Sequence, residues 1–298
     1  MPNRQNGGVD ATTFESNRGR MFGIAYRMLG SVAEAEDGVQ DAWLRWQGTN
    51  RDEVHNPAAF LATVVTRLSL TALDSARARR ETYVGPWLPE PVATDGDPLL
   101  GAERAEALSL AVLLLLERLT PAERAAYVLH EAFQNTFREI AEVLEISEAS
   151  ARQLGTRARQ HIDRERVVEV SSAERNRLMG ALVAAMQSGE LEQLESVLAK
   201  DVVAVSDGGG VVFAARRPVL GRDRVANFLH GIAEKYGEGL SAMPVSVNGE
   251  TAMLAIRDGA PQSLTSVEVS PDGVASIHIV MNPNKLATLV TFLGATQS

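Results

Sequence analysis

Cysteine is absent from the 298 residues of this chain, which excludes disulfide staples and thiolate metal sites. Long hydrophobic runs are missing too. The longest, Leu110 to Leu116, falls far short of the roughly 20 apolar residues that cross a bilayer. Residues 1–13 are polar and contain no apolar core, so a secretory leader is not expected. The expectation is a cytoplasmic protein with no membrane partner. No internal repeat and no metal-ligand spacing of acidic residues and histidines occurs, so neither a metal nor another cofactor is expected. Basic charge is also in deficit, 29 Lys and Arg against 38 Asp and Glu, for a net −9. The basic residues that exist are concentrated. Residues 67–80 hold Arg67, Arg77, Arg79 and Arg80 against Asp74 alone. Residues 152–166 hold Arg152, Arg157, Arg159, Arg164 and Arg166 against Asp163 and Glu165. Local patches steer phosphate binding more than total charge does. The acidic remainder implies weak non-specific DNA affinity and a need for a second partner.

The most informative stretch is 136–166, TFREIAEVLEISEASARQLGTRARQHIDRER. Thr136 with Glu139 forms a capping-box pattern, and Phe137, Ile140, Ala141 and Leu144 recur at helical spacing. Ser147 is placed to cap a second helix, with Glu148 at its positive end. That helix turns Ala151, Leu154, Ala158 and Ile162 to one side. Arg152, Gln153, Thr156, Arg157 and Gln160 fall on the other. The pattern reads as a helix-turn-helix whose second helix enters the major groove. An ordinary helical hairpin with a solvated arginine face fits the same pattern.

Other elements follow from caps and breakers. In 12–80, Phe14, Met21, Phe22, Ala25, Met28 and Leu29 line one helix, which Gly30 stops. Ser31 with Glu34 reads as another capping box, opening a helix with Val39, Ala42, Trp43 and Trp46 inward. Asn56-Pro57 starts a third with Phe60, Leu61, Val64, Val65 and Leu68 on its core side. Residues 81–98 hold four prolines and two glycines and read as an extended linker. Leu108, Val112, Leu115 and Leu119 begin a second helical part, followed by a capping box at Thr120-Pro121-Ala122-Glu123. After about Ser172, two helices, over 173–187 and 191–198, precede strands expected over 202–205, 211–215, 242–247, 252–256, 264–269 and 274–280. Asn248-Gly249 is a hairpin signal. The expectation is a multidomain chain: two all-α domains joined by a Pro-rich linker, then an α+β domain with an antiparallel sheet.

Over 12–166 these residues resemble an extracytoplasmic-function (ECF) sigma factor, the specificity subunit of bacterial RNA polymerase. GSVAEAEDGVQDAWLRW at 30–46 is similar to the segment of sigma region 2 that docks on polymerase. NPAAFLATVVTRLSLTALDSARARRE at 56–81 is similar to its −10-reading helix. The helix-turn-helix resembles region 4, which reads the −35 element. WLPEP at 87–91, together with DGGG at 207–210 and NPNKL at 282–286, which both read as loop segments, resemble the sigma J type subgroup, which carries a C-terminal SnoaL-like domain of the NTF2-like fold. That subgroup usually has Lys after DGGG. Val211 stands there instead, with Arg216 and Arg217 nearby.

The resemblance implies region 2 over 12–80, a linker over 81–100, region 4 over 101–168 and a SnoaL-like regulatory domain over 172–298. It implies that Glu36, Asp37, Gln40, Asp41 and Leu44 bind core polymerase. The −10 contacts would fall to Asn50, His55, Asn56, Arg67, Asp74, Arg77 and Arg80, with a helix N-cap as the simpler reading of Asn56. The −35 contacts would fall to Arg152, Gln153, Thr156, Arg157 and Arg159, since Arg pairs with guanine and Gln with adenine. The linker would meet the C-terminal domain through Trp87, Leu88, Pro89, Asp207, Gly208, Gly209, Asn282 and Lys285. Partners are core RNA polymerase and promoter DNA, with room for an unidentified small-molecule ligand in the C-terminal domain. His278 reads as a sheet residue and Asp207 as a turn former rather than as catalysts, so no enzyme is expected. Two other functions fit parts of the sequence: a one-component helix-turn-helix repressor with a ligand-sensing domain, and an NTF2-like enzyme with a helical accessory domain.

Overall fold

The structure, a computed structural model, describes residues 6–94, 108–165 and 170–296. The expected boundaries at 100/101 and 168 lie outside them. Two compact units form: one takes the chain up to Glu81 and from Gly96 to Glu165, the other takes Thr82–Asp95 and the chain from Arg166 onward. Most of the linker therefore folds as part of the second unit.

In the first unit, α1 (Asn6–Leu29), α2 (Val32–Gly48) and α3 (Pro57–Glu81) pack as a three-helix bundle. Its core holds Met21, Ile24, Met28, Leu61, Val65 and Leu73, with Trp46 buried against Phe60. Ser31 accepts the Glu34 amide as an N-cap, while the Glu34 carboxylate pairs with Arg79. Asn56 Oδ1 accepts the Ala59 amide at 3.1 Å and so caps α3. By length and composition α3 could cross a membrane. Its apolar face is instead the core of the bundle. Further along the chain come α4 (Leu110–Leu116), α5 (Pro121–Tyr127), a π-turn at Val128–Ala132, α6 (Phe137–Leu144) and α7 (Glu148–Glu165). Of the three expected capping boxes, Thr120/Glu123 and Thr136/Glu139 are closed in both directions, whereas at Ser31 only the Glu34 amide bond forms and the Glu34 carboxylate goes to Arg79 instead. Ser147 Oγ accepts the Ser150 amide at the start of α7. Gly155 lets α7 approach α6: a Cβ there would lie 2.7 Å from the Phe137 ring.

The second unit opens with α8 (Ser172–Ser188) and α9 (Leu191–Val197). The strands β1 (Leu198–Asp207), β2 (Val219–Leu220), β3 (Ser241–Val247), β4 (Glu250–Arg257), β5 (Ala260–Ser270) and β6 (Gly273–Val280) form one sheet in the order β2-β1-β6-β5-β4-β3. Helix α10 (Arg222–Tyr236) follows β2, and α11 (Pro283–Thr296) follows β6. Leu178, Leu182, Leu194, Val225 and Leu229 pack against Val202, Val267 and Ile277 to make the core. The α+β class expected for this part is what forms.

Three further expectations fail. The sheet is mixed, because β1 pairs parallel to β6. Residues 211–215 form no strand: the Val211 and Val212 amides both donate to the Gly208 carbonyl and close a turn. NPNKL is not a loop. It opens α11, with Asn282 Oδ1 accepting the Asn284 amide at 3.0 Å. Helix α10 is an addition, formed because Val225, Ala226 and Leu229 share a buried face.

Gly155→Val should destabilise the first unit by about 1–3 kcal/mol through overpacking against Phe137. A drop in thermal midpoint, with the folded spectrum retained at low temperature, checks this.

Candidate functional site

The expected polymerase-binding residues lie on an open face of α2. Asp37, Gln40, Asp41 and Leu44 are all exposed, and Leu44 is 58% exposed, high for a leucine. Their spacing of three and four aligns them along one side of the helix. Glu36 sits beside them and pairs with Arg18 at 2.5 Å. Trp43 and Trp46 turn inward, Trp43 edge-on to Phe14.

The residues expected at the −10 element divide into two sets. Asn50, His55 and Asn56 lie exposed around a short 3₁₀ turn, Arg51–Glu53, at the entrance to α3. Asn50 donates to Glu53 at 2.8 Å. Asp74 is exposed on α3. The arginines of α3 are not free. Arg67 donates to the Val143 and Glu142 carbonyls at 3.0 and 3.1 Å and pairs with Glu145. Arg77 donates to the Leu119 carbonyl at 2.7 Å, and Arg80 pairs with Glu117.

On α7, Arg152, Gln153, Thr156, Arg157 and Arg159 are all exposed. Arg152 pairs with Glu148 at 2.9 Å and lies over the Phe137 ring. Arg157 reaches Glu123 at 3.2 Å, and Arg159 reaches Glu131 at 3.5 Å. Thr156 Oγ1 donates to the Arg152 carbonyl. The helix-turn-helix thus presents a basic face whose surface ion pairs are each worth little and exchange readily for phosphate.

In the second unit the linker is docked at two points, both through groups of opposite polarity. Asp207, at the end of β1, is wholly buried. Its Oδ1 accepts from the Tyr83 hydroxyl at 2.6 Å and the Gly209 amide at 3.0 Å. Its Oδ2 accepts from the Leu88 amide at 2.9 Å and Lys285 Nζ at 2.7 Å. Lys285 also donates to the Leu88 carbonyl and lies 4.4 Å above the Trp87 ring. Asn282 Nδ2 donates to Tyr83 Oη at 2.8 Å. Gly209 has φ +61, and a Cβ on it would stand 2.3 Å from Asn282 Nδ2. Gly208 is as tight against the Val212 carbonyl. Burial, then the Asp207 carboxylate, raises the Tyr83 hydroxyl well above its usual range, so it stays a donor. Leu88 is the apolar anchor at 1% exposed. Pro89 is also buried and Trp87 only half so.

The second point is a strand addition. Ala93 bridges antiparallel to Val247 on the β3 edge. The Thr94 amide donates to Ser246, and the Asn248 amide donates to the Val92 carbonyl. Asn248 Oδ1 accepts the Val92 amide at 3.1 Å. Sequence reasoning missed Tyr83, Thr94 and this use of Asn248, which it took as a hairpin residue only. Asn248 does form that turn, at φ 56. Arg216 meets the linker through backbone near Gly85, while Val211 is exposed.

His278 on β6 is buried, and burial lowers its pKa to about 4, although Glu268 stands 3.9 Å away. The sequence placed His278 in a sheet, and it lies on β6.

The Sigma-70 region 2 family matches residues 13–79, and the Sigma-70, region 4 family matches residues 109–162. The first unit is therefore that of a two-region sigma factor. The chain is similar to the ECF RNA polymerase sigma factor SigJ of Mycobacterium tuberculosis, at 41% identity over 292 residues and 93% of each chain. It is similar to the probable ECF sigma factor SigI of the same species, at 30% identity over 95% of this chain and 97% of the other. The crystal structure of M. tuberculosis SigJ aligns with a TM-score of 0.75 and 39% identity, over 93% of this chain and 98% of that one. The chain belongs to the ECF RNA polymerase sigma factors. Its partners are core RNA polymerase and promoter DNA, and it is an initiation factor rather than an enzyme.

Removing the Asp207 carboxylate takes the acceptor from the part-buried Tyr83 hydroxyl and the counter-charge from the largely buried Lys285 ammonium. Asp207→Ala should therefore cost about 3–5 kcal/mol in the second unit. Urea unfolding, together with faster proteolysis of residues 83–94, reads it. For His278, the unfolded chain takes up its proton near pH 6.5 and the folded chain only near pH 4, so stability falls as pH drops through that window. Between pH 7 and pH 5 the loss should be about 2 kcal/mol, and His278→Gln should abolish that step.

Proposed function

We propose that this sigma factor is modulated in cis: the C-terminal unit grips the linker and thereby sets how the two DNA-reading regions can be arranged on a promoter. The observation that carries this reading is the buried Asp207, whose four donors include two from the linker, Tyr83 and Leu88. A passive tail needs no such bonds. Docking a proline-rich segment loses little conformational entropy, so the grip is cheap to make and to reverse. In this reading region 2 occupies 12–80, the linker 81–100, region 4 101–168 and the SnoaL-like regulatory domain 172–298. The factor works in the cytoplasm, where its polymerase is.

The finer roles follow the exposed faces. Asp37, Gln40, Asp41 and Leu44, with Glu36, dock on core polymerase. Asn50 and His55 face the strand-separated −10 element at the mouth of α3, with Arg67, Arg77 and Arg80 along its length. Arg152, Gln153, Thr156, Arg157 and Arg159 read the −35 duplex. Asn56 serves as the α3 cap rather than as a base contact, because its side-chain oxygen is committed to Ala59.

Run-off transcription with core polymerase tests the regulatory reading. Leu88→Ala, Asp207→Ala and a chain ending at residue 166 should all shift promoter output in the same direction. Output equal to that of the intact chain in all three, at equal core affinity, removes it. Charge reversal at Asp37 and Asp41 should lower core affinity without lowering the melting temperature. Arg157→Ala should reduce discrimination at one base pair by about 1–3 kcal/mol. A uniform loss across sequences would assign it to phosphate instead.

A further inference from the structure

The second unit carries a surface that neither the linker grip nor the sheet explains. Six large apolar side chains are exposed among the described residues, and four of them gather at one turn: Val84, Val211, Val212 and Phe213. Phe213 is the barest, at 73%. The turn is held at both ends. The Gly208 carbonyl accepts the Val211 and Val212 amides, and Ser206 Oγ accepts the Ala215 amide at 2.9 Å. Gly209 and Gly210 supply the positive φ, 61 and 73, that the reversal needs. Val84 of the linker packs on Gly210, where a Cβ would stand 3.0 Å from it. A turn pinned in this way holds its side chains outward, so the apolar tip stays in water in the free protein. Val211 stands where the resembled subgroup usually has Lys, and this departure makes the tip apolar throughout.

The charge next to the tip along the chain is of one sign. From Gly208 to Arg222 there are three arginines and no acidic residue, in a protein of net charge −9. Arg216 and Arg217 are exposed, and neither has an ion pair among the described residues. The Arg216 backbone lies against Gly85 of the linker, beside Val84. Lys235, near the end of α10, holds its ammonium 5.5 Å from the centre of the Phe213 ring. Unpaired cations beside a bare apolar tip match a partner that is anionic outside and hydrocarbon inside. They repel a second copy of the same face. Nucleic acid is a poorer match, because aliphatic side chains offer no stacking plane and Lys235 already covers the one ring of the tip.

We propose that this tip, Val211 to Phe213 with Val84, inserts into the acyl boundary of an anionic membrane while Arg216, Arg217 and Lys235 hold the headgroups. The expectation of no membrane partner rested on the lack of a spanning segment and a leader. A surface of this kind lies on a bilayer and needs neither. It makes the C-terminal unit a peripheral anchor at the cytoplasmic leaflet, where anionic lipids give a negative surface potential. Because Val84 belongs to the linker, the full surface exists only while the linker is docked.

Flotation of the full chain with lipid vesicles tests the anchor. Binding to mixed phosphatidylglycerol and phosphatidylcholine should exceed binding to phosphatidylcholine alone by about a hundredfold, from three cations near the surface. Phe213→Ser should weaken it by about tenfold or more. Arg216→Gln with Arg217→Gln should weaken it by about thirtyfold. The melting temperature should stay unchanged in both variants, since these side chains are exposed. The chain has no cysteine, so Val212→Cys carries an environment-sensitive dye at the tip. Its emission should shift to the blue on mixed vesicles and be quenched by bromines placed on the acyl chains. Equal flotation of Phe213→Ser and the wild type overturns the anchor, as does a dye that keeps its aqueous emission on bound vesicles. A blue shift with core polymerase or promoter DNA and none with vesicles overturns it too, and assigns the tip to that partner.

Discussion

A single buried carboxylate organises the second unit. Asp207 sits at the end of β1, beside the β6 strand that runs parallel to it, and its main-chain carbonyl accepts the Met281 and Asn282 amides. Its side chain faces the linker. The residue therefore joins three things at once: the sheet, the start of α11 and the chain entering from the helical part. Its charge is compensated by Lys285 and its remaining lone pairs by neutral donors, the condition under which a buried ion pair is tolerable. The glycines that follow are a consequence of the same crowding, since a side chain on Gly209 would displace Asn282.

The first unit uses charge in the opposite way. Most of its arginines lie at surfaces and helix ends rather than in a sealed pocket, and several, Arg67, Arg80 and Arg159 among them, have more than one partner. Arg27 shows the cost of going further in: burial lowers it to about 10, with the Phe133 ring beneath it and a bond donated to the Gly23 carbonyl. Apolar packing fixes the bundle, and the arginines decide what the bundle can touch. An acidic chain can bind DNA because its few cations are clustered and its acidic groups stand close enough to tune them.

Helix positions were legible from caps and breakers, because those signals are local: Thr136 with Glu139, Thr120 with Glu123, and Asn56-Pro57 all depend on neighbours within four residues. The basic patches were legible for the same reason. What was not legible depended on partners far along the chain. Parallel pairing of β1 with β6 joins residues some seventy positions apart, and nothing in either strand alone announces it. Val211 to Ala215 has strand composition, but the glycines before it fold its first amides back onto Gly208. Tyr83 and Asn248 gave no sign of their roles, since a linker tyrosine and a hairpin asparagine have ordinary local explanations. The engagement of Arg67, Arg77 and Arg80 was hidden in the same sense: the sequence shows that they are cations, not which carbonyls they will find.

The second unit is discontinuous in sequence, and that has a consequence for how the protein is made. Leu88 leaves the ribosome 197 residues ahead of Lys285, its partner. At about 5–20 residues per second, the linker waits on the order of 10–40 s before the β3 edge and α11 exist to receive it. From the emergence of Glu165 onward both helical regions have been made while the segment between them is unheld. Each newly made molecule thus passes through a period as a sigma factor without its regulator, and the length of the C-terminal part sets its duration.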